Sequence, residues 1–344
     1  TKNRQIVEDT AEILLNSCPE DFLRELSPKG LCDLSRHVFN TLSDAVAGNL
    51  YLKIFNPSPR DTGWPPNLTL LEVCLPDRPF LLESIMMGLK REGITLQSFI
   101  HPVFDVQLDN KRKIVDLSSH HDRETTHSFS YELFLLPRMS DASALAGIQE
   151  RISLVLRDVI RATEDYGPMQ EKCLEITEGI RSLARFLPLE KLPEKEDKIE
   201  EYAQFLEWLD DGNFVFLGYR DYLFLREDEK IASIKVKPGS GLGMLSDEKA
   251  SKYRNPFPVS DLDPGLKKRL EAAPILQVTK TNAQSTVHRP PRMDYIGIKH
   301  YDQDGRVTGE QRFQGLFTLK AFSTSSERIP LLREKLQEVL KLDQ

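Results

Sequence analysis

The chain has 344 residues, of which 40% are hydrophobic and 29% charged, and its formal net charge is −7 at pH 7. This composition excludes a disordered chain and predicts a soluble globular protein of two or three domains. The acidic balance argues against nucleic acid as a partner. No apolar run reaches the ~18–20 residues of a membrane helix, so we expect no membrane contact either.

Four cysteines stand at positions 18, 32, 74 and 173, without a CxxC or CxxH spacing. This pattern predicts no zinc site and no disulfide framework, and it fits a reducing compartment, so we predict a cytoplasmic location. The charged first segment lacks the apolar core of a signal peptide. Because the chain begins at Thr1 and not at methionine, we expect it to be a piece of a longer polypeptide.

Residues 1–48 are predicted to be helical, because apolar side chains such as Val7, Ala11 and Leu14 recur at helical spacing. A strand follows at 50–55, and the proline-rich stretch 56–67 predicts an irregular connection. From residue 68 strands alternate with helices, which predicts an α+β sandwich with a sheet on one side and helices on the other. The predicted elements are strand 68–75, helix 79–91, strands 94–107, 113–117 and 129–136, and helix 144–163.

Residues 167–211 are predicted to form a helical connector, whose charge run at 187–201 is typical of a solvated face or linker. The block that follows contains two strands, short helical pieces and three more strands, which together predict a five-stranded antiparallel sheet. Asp304-Gly305 is a hairpin signal within it. The predicted elements are strands 213–225 and 230–237, helical pieces 246–254 and 261–272, strands 275–280, 293–301 and 306–322, and a final helix 327–340.

Two motifs suggest ligand binding, but for each of them we favour an interpretation without a ligand. Gly239-Ser240-Gly241-Leu242-Gly243 follows a strand, but its GxGxG spacing and the absence of a long helix behind it favour a demanding turn over a phosphate loop. His120, His121 and His127 lie in a polar loop without a rigid frame, so we predict no metal site there. No catalytic motif is recognisable, and we predict no catalytic, cofactor-binding or metal-binding residues in the chain.

Two segments carry more polar and turn-forming residues than packing requires. Asp77, Arg78 and Phe80 join a strand to the following helix, where backbone amides are able to receive an anion or a carboxylate; a capped turn is the alternative. The stretch 278–299 concentrates polar side chains between two strands, which predicts either a ligand loop or a contact between domains. Its candidate residues are His288, Arg289, Arg292 and Asp294.

Several runs of this sequence resemble the large bacterial NAD-dependent glutamate dehydrogenases. The resemblance extends from about residue 50 to the end of the chain and is weaker before that. Because the matches are long and occur in one order, they are specific. They include KIFNPSP (53–59), LPDRPFLLESI (75–85), FIHPVFDV (99–106), DGNFVFLGYRDY (211–222), PGSGLGML (238–245), TKTNAQSTVHRPPRMDYIGIK (279–299), GEQRFQGLFTLKAF (309–322) and IPLLREKLQEVL (329–340).

The resemblance implies that the chain is the N-terminal part of a much longer enzyme, whose NAD-binding catalytic domain lies downstream. In that family the front of the chain combines ACT-like, that is ferredoxin-like, α/β sandwiches with a PAS-like module and helical connectors. The implied division is a helical segment at 1–48, an ACT-like domain at 49–166, a connector at 167–211, a PAS-like domain at 212–325 and a helix leading to the next domain at 326–344.

Two departures from the family pattern limit what the resemblance implies. Phe80 stands where amino-acid-binding ACT domains usually place a glycine, and its bulk would crowd a ligand. Residues 167–186 stay helical where a last strand is expected, so strand 50–55 is predicted to fill that position in a permuted topology. The PAS-like block lacks a flavin cysteine or haem ligand, so we expect no chromophore.

The leading hypothesis is a non-catalytic regulatory and assembly region of a glutamate dehydrogenase. Its expected partners are the downstream catalytic domain and further copies of the chain in a homo-oligomer. The competing hypothesis is an amino-acid-sensing module, with an amino acid as effector.

Overall fold

A computed structural model describes residues 2–24, 26–58, 64, 67–119, 127–271 and 274–335. The chain divides into two compact units. Unit 1 comprises Thr1–Arg157 and Thr286–Arg289, and unit 2 comprises Asp158–Ser285 and Pro290–Gln344. His120 and His121 of the histidine loop, and residues 336–340 of the predicted C-terminal helix, lie outside the described residues.

Unit 1 begins with three helices: α1 (Lys2–Ser17), α2 (Glu20–Arg24) and α3 (Pro28–Gly48). The predicted helical segment is therefore confirmed. Helix α3 starts where it does because the Ser27 hydroxyl accepts a hydrogen bond from the Gly30 amide. It ends at Asn49, which adopts the left-handed conformation with φ 63°. Its buried face packs against the sheet, and contains Leu34, Val38, Leu42 and Ala45.

The first sheet has the strand order β1-β2-β6-β4-β5, with β3 also paired to β6, and every pairing is antiparallel. Strand β1 lies beside β2 at an edge of the sheet. It was expected to fill the place of the last strand of the ACT-like order. Helices α4 (Leu81–Arg91) and α5 (Ala142–Glu164) complete the unit. The strands are β1 (Tyr51–Phe55), β2 (Leu68–Pro76), β3 (Ser98–Ile100), β4 (Val103–Leu108), β5 (Ile114–Ser119) and β6 (His127–Pro137).

Both faces of this sheet are covered, which the one-sided sandwich predicted from the sequence did not include. Leu70 and Cys74 of β2 pack into the core formed with α1 and α3. Leu71 and Leu75 point to the opposite face because side chains alternate along a strand, and they are equally buried. The N-terminal helices are thus part of the first unit's core.

The single strand predicted at 94–107 is wrong, because the chain breaks into β3 and β4 at His101-Pro102. Proline has no amide hydrogen to donate and restricts the residue before it, so regular pairing cannot run through it. The Pro102 carbonyl still accepts a hydrogen bond from the Tyr131 amide at 3.0 Å. Both pieces therefore remain beside β6, with a corner between them.

Unit 2 contains helices α6 (Tyr166–Phe186) and α7 (Glu196–Trp208) and a sheet of seven strands. Five strands are long, as predicted, and two have only two residues. The order is β10-β8-β7-β13-β12-β11, with β9 beside β7. The strands are β7 (Phe214–Glu227), β8 (Lys230–Val236), β9 (Leu242–Gly243), β10 (Phe257–Pro258), β11 (Leu276–Gln284), β12 (Arg292–Tyr301) and β13 (Val307–Phe317).

Three predicted elements of unit 2 are wrong in extent. The last strand ends at Phe317 because the Thr318 hydroxyl caps a short helix, α9 (Leu319–Ser323), by accepting from the Ala321 amide. The final helix does not begin at 327, since Ser326–Arg328 form a single 3₁₀ turn and Leu331 has φ 68°. The first helical piece, 246–254, is only a 3₁₀ turn, whereas the second contains α8 (Pro264–Glu271).

We predict that Gly315→Ala destabilises unit 2 by about 1–3 kcal/mol, because an added methyl would overlap the Val215 carbonyl oxygen and the Phe214 ring. The matched control is Gly179→Ala in the exposed face of α6, where no atom lies within 4 Å of the added carbon. That substitution should stabilise the unit by up to about 1 kcal/mol. Urea unfolding followed by tryptophan fluorescence in a Trp64→Phe background, where Trp208 is the remaining tryptophan, measures both, and equal effects of the two substitutions would contradict the packing.

Candidate functional site

The loop between β2 and α4 holds three of the candidate residues in a strained turn. Phe80 precedes the helix with φ 69°, a left-handed conformation that is costly for a bulky side chain, and it makes no side-chain cap. The Asp77 amide donates to the Ser128 carbonyl at 2.9 Å, and Arg78 Nε donates to the Pro76 carbonyl at 3.2 Å. The loop is therefore held by the backbone of strand β6 and by the Arg78 side chain.

Two candidate residues, Phe80 and His288, meet in unit 1. Their ring centroids lie 4.7 Å apart, and the His288 amide donates to Ser84 Oγ at 3.0 Å. The Ser84 hydroxyl in turn donates to the Phe80 carbonyl at 2.5 Å. We call this arrangement of Phe80, Ser84 and His288 the α4–His288 contact. It occupies the start of α4, where the sequence analysis placed an anion or carboxylate.

Among the other candidates of the 278–299 stretch, Arg289 acts on this contact: burial, and after it the positive charge of Arg289, lower the pKa of His288, and the charge of Glu83 opposes that shift. Arg289 belongs to unit 1 and is half-buried. Arg292 and Asp294 lie on β12 in unit 2, where Arg292 is exposed. The buried Asp294 carboxylate forms an ion pair with Lys280 Nζ on the neighbouring strand, at 2.7 Å. Asp294 is therefore a structural partner within the sheet.

A buried acid that the sequence analysis missed, Glu132, lies in the middle of β6. Its Oε1 accepts a hydrogen bond from Ser130 at 3.2 Å and lies 3.1 Å from His101 Nε2. Its Oε2 is buried without a hydrogen-bond partner among the described residues. A lone acidic residue inside the apolar run 129–136 was the sequence signal for this site.

Burial and neighbouring acids perturb the titration of this pair. Burial raises the pKa of Glu132 from 4.5 to about 8; the hydrogen bond from Ser130 opposes that shift, and the charges of Asp77 and Glu83 add to it. Burial lowers the pKa of His101, against the raising influence of the same two acids. Burial therefore favours the uncharged form of both groups.

Glu72, a second buried carboxylate, lies on the opposite face of the first sheet and is fully partnered. The Tyr131 hydroxyl donates to its Oε1 at 2.8 Å, and the Thr41 hydroxyl donates to the same atom at 2.9 Å. His37 Nε2 lies 2.9 Å from Oε1 and 3.0 Å from Oε2. This group joins α3 to the centre of the sheet and is a structural element.

One face of the second sheet carries a buried group of charged and aromatic side chains. The Arg312 guanidinium lies 3.9 Å from the centroid of the Tyr222 ring, and its Nε donates to Glu310 Oε1 at 2.5 Å. The Tyr295 hydroxyl also donates to Glu310. Arg312 is 8% exposed and Glu310 4% exposed, so the charges are compensated inside the protein.

The glycine-rich loop uses its amides internally, which favours the turn over the phosphate loop. The Gly239 amide donates to Glu248 Oε1 at 2.5 Å, and the Gly243 amide donates to Asp165 Oδ2 at 2.7 Å. The amides of residues 244–246 donate to backbone carbonyls. A phosphate would have to displace these acceptors, and the positive φ of Gly239 and Gly243 accounts for the glycines.

Unit 2 also contains an apolar groove of about 1080 Å³ between α7, β11 and the segment 329–335. Its floor is aromatic and includes Tyr202, Phe205 and Trp208.

Within the described ranges, no three His, Cys, Asp or Glu side chains are grouped closely enough to hold a metal ion. Every helix in that part of the chain is too short or too polar to serve as a membrane span.

The fold is α+β, with antiparallel sheets flanked by helices, and its first unit is consistent with an ACT-like domain. Comparison with known proteins then shows what the chain is similar to. Residues 10–152 match the family described as "Glutamate dehydrogenase, ACT1 domain". The predicted resemblance to the large NAD-dependent glutamate dehydrogenases is confirmed by this match and by the relatives described next.

The chain is 29% identical to the NAD-specific glutamate dehydrogenase of Halomonas elongata over 294 residues, which is 85% of this chain and 18% of that protein. It is also 29% identical to the enzyme of the same name from Pseudomonas aeruginosa over 291 residues, which is 84% of this chain and 17% of that protein. The chain thus spans less than a fifth of the length of these curated relatives.

A solved structure described as "Structure of an RNA-binding Light-Oxygen-Voltage Receptor" aligns with 94% of this chain and 89% of its own. Its TM-score is 0.18 and its identity 9%, a similarity too low to support an argument about the fold.

We predict that Arg312→Leu destabilises unit 2 by about 3–5 kcal/mol, because the buried Glu310 carboxylate loses the guanidinium that is hydrogen-bonded to it. The control is Arg306→Leu, which removes an exposed pair with Glu229 at 3.2 Å and should cost less than about 1 kcal/mol. Urea unfolding of both variants tests the difference. Similar losses would show that the buried pair does not stabilise the sheet.

Proposed function

We propose that this chain is a non-catalytic regulatory and assembly region of an NAD-dependent glutamate dehydrogenase. The observation that carries the proposal is the match of residues 10–152 to the ACT1 domain of that family. The intact enzyme would oxidise L-glutamate with NAD to 2-oxoglutarate, ammonia and NADH. NAD would then be the cofactor of the intact enzyme, bound by a catalytic domain of the same polypeptide that lies downstream of this N-terminal region.

The contacts of the charged side chains support a scaffolding role. Glu72 is bound by His37, Thr41 and Tyr131, and Glu310 by Arg312 and Tyr295, so both carboxylates stabilise the fold. Groups that bind and turn over a substrate must instead present their charge to a cleft. These buried pairs are suited to holding sheets and helices in fixed positions.

The division into an ACT-like domain at 49–166 and a PAS-like domain at 212–325 is part of this proposal, with helical segments at 1–48, 167–211 and 326–344. The ACT-like assignment is supported by the central order β2-β6-β4, in which β6 lies between two strands joined through α4. The PAS-like assignment is supported by five long strands in the order β8-β7-β13-β12-β11. A homo-oligomer and a cytoplasmic location remain predictions from the sequence.

An amino-acid sensor is the second candidate function. The observation that favours it is the Oε2 atom of Glu132, a buried oxygen on β6 that has no hydrogen-bond partner among the described residues. The acids Asp77 and Glu83 act on the same place and would attract the ammonium group of an amino acid. Against this, Phe80 and His288 already fill the start of the helix.

We expect no NADH formation when this chain alone is mixed with L-glutamate and NAD, because the proposed catalytic domain is not part of it. Absorbance at the NADH band measures the reaction. The full-length glutamate dehydrogenase of Pseudomonas aeruginosa serves as the positive control. Turnover by the isolated chain would overturn the non-catalytic assignment.

Thermal unfolding in the presence of single amino acids separates the two candidate functions. A specific effector at about 100 times its Kd should stabilise the folded chain by about 2.7 kcal/mol. A regulatory and assembly region without an amino-acid site should show no selective shift, and light scattering should show self-association. A selective shift with one amino acid would favour the sensor, and a monomer at every concentration would contradict the assembly role.

A further inference from the structure

The apolar groove of unit 2 lies along an open edge of the second sheet. β11 is the last strand in the order of that sheet, and among the strands that the structure describes it pairs only with β12. Residues 276–279 of β11 line the groove of about 1080 Å³. We call this groove, together with the edge formed by residues 276–279, the β11 groove.

The alternation of hydrogen bonds along β11 determines which of its backbone groups face outward. The Lys299 amide of β12 donates to the Ile275 carbonyl at 2.9 Å, one residue before β11 begins. Because backbone groups alternate in direction along an antiparallel strand, residues 277 and 279 bond to β12, and the amides and carbonyls of Leu276 and Val278 point away from it. Val278 is 43% exposed. The edge therefore presents backbone donors and acceptors with which a further strand is able to pair.

The second half of β11 carries features that discourage a further strand. The register with β12 shifts between Lys280 and Gln284, and Lys280 Nζ forms an ion pair with the buried Asp294 carboxylate at 2.7 Å. Bulges and charged side chains are common ways of protecting an edge strand. Residues 276–279 carry neither feature, so the unprotected part of the edge is the part that lines the groove.

The floor and the far wall of the β11 groove are fixed by contacts within unit 2. The rings of Phe205 and Trp208 stack with their centroids 5.7 Å apart. On the far wall the Leu331 amide donates to Glu201 Oε2 at 2.9 Å, and Arg333 Nε donates to Oε1 of the same carboxylate at 2.9 Å. The groove is therefore a preformed apolar channel beside an open strand.

One positive charge at the β11 groove is left for a ligand. The charged residues that line it are Glu194, Lys198 and Lys335. Glu194 accepts a hydrogen bond from the Tyr202 hydroxyl at 3.0 Å, and Lys198 forms an ion pair with Glu334. Lys335 is exposed, and within the described part of the chain no acid forms an ion pair with it. An acidic group on a ligand would complement this charge.

We propose that the β11 groove binds an extended peptide segment of another protein, which pairs with the edge of β11 and places alternate side chains over the aromatic floor. The open backbone groups require a strand, and the apolar floor requires side chains that fill it. The segment therefore carries a large apolar residue at every second position and an acidic residue that pairs with Lys335. The inference does not rest on the proposed function of the chain.

A second copy of β11 meets only one of these two requirements. Its backbone would pair with the edge, but Leu276 is only 3% exposed and belongs to the core of its own unit. Val278 would then be the one apolar side chain that residues 276–279 of the copy offer to a groove of about 1080 Å³. The exposed positions of Val278 and Lys335 leave the groove accessible to a segment of a separate protein.

Fluorescence anisotropy of labelled peptides tests the proposal on the whole 344-residue chain. The probes are synthetic peptides that alternate threonine with leucine, valine or phenylalanine and carry an aspartate at each end. We expect at least one of them to bind with a Kd below about 1 mM. Failure of every probe at that concentration would overturn the proposal.

Backbone methylation of the tightest probe shows whether it binds as a strand. One derivative is N-methylated at its apolar positions and the other at its threonine positions, so that only one of them loses the amides that face β11. That derivative should bind at least about tenfold more weakly, whereas the other should bind as the parent peptide does. Equal binding of the two derivatives would show that the groove holds an apolar molecule without strand pairing, which contradicts the proposal.

Variants of the chain locate the site. Phe322→Ala, which removes a groove-lining ring that is 69% exposed, should weaken binding about tenfold. Phe186→Ala is the matched control, an aromatic residue that is 78% exposed and does not line the groove, and it should leave the Kd unchanged. Lys335→Glu should reverse the charge preference and favour a probe with lysine ends. Equal effects of the two phenylalanine variants would place the peptide elsewhere and overturn the proposal.

Val278→Pro removes one outward amide while keeping the bonds of β11 to β12, since proline is tolerated where an edge amide faces solvent. It should weaken binding at least about fivefold. Unchanged binding would count against the strand pairing. If circular dichroism shows that this variant does not fold, the methylated peptides decide alone.

Hydrogen exchange of the Val278 amide and light scattering identify any other occupant of the edge. We expect this amide to exchange rapidly in the free chain and slowly with the peptide bound. Slow exchange in a monomeric free chain would mean that a segment of this chain covers the edge. Self-association that Val278→Pro abolishes would assign the edge to a second copy. Either result would overturn the proposal.

Discussion

The buried carboxylate of Glu72 is the interaction on which the first unit depends. Thr41 from helix α3 and Tyr131 from strand β6 donate to its Oε1, with His37 beside both oxygens. The pair of hydroxyl groups and the imidazole offset the cost of burying an acid in the middle of a sheet. This one group joins helix α3 to the central strands, and so holds the N-terminal helices on one face of the sheet.

Sequence patterns predict the elements of this protein better than the places where they stop. Helix α3 and strand β6 follow from periodicity and apolar runs, and the sequence also predicts strand β1. The strand breaks at Pro102 because proline lacks an amide hydrogen, and β13 ends before Thr318 because the hydroxyl of that residue caps a helix. Both effects are local and interrupt an apolar pattern that continues along the sequence. Such effects of single residues decide where a helix or strand ends, more than the apolar pattern averaged over a stretch of sequence does.

The candidate site was only partly predictable for a related reason. Phe80 and His288 were selected because their segments carry more polar and turn-forming residues than packing requires, and they do meet. Glu132 and His101 were missed because each stands alone in a stretch that otherwise reads as core. Their proximity depends on the corner between β3 and β4, a tertiary feature that no spacing along the chain encodes. A charged residue inside an apolar strand is the signal that deserves weight in similar sequences.

Strand β1 shows how this unit protects its sheet from unwanted association. An edge strand presents unpaired amides to any other chain that can pair with it. In β1 the Ile54 amide donates instead to the Gln149 side chain of helix α5, at 3.1 Å. The helix thus closes part of the edge that the strand order leaves open. A shortened chain that ends before Gln149 would lose this closure, so fragments intended to remain free of aggregation should retain helix α5.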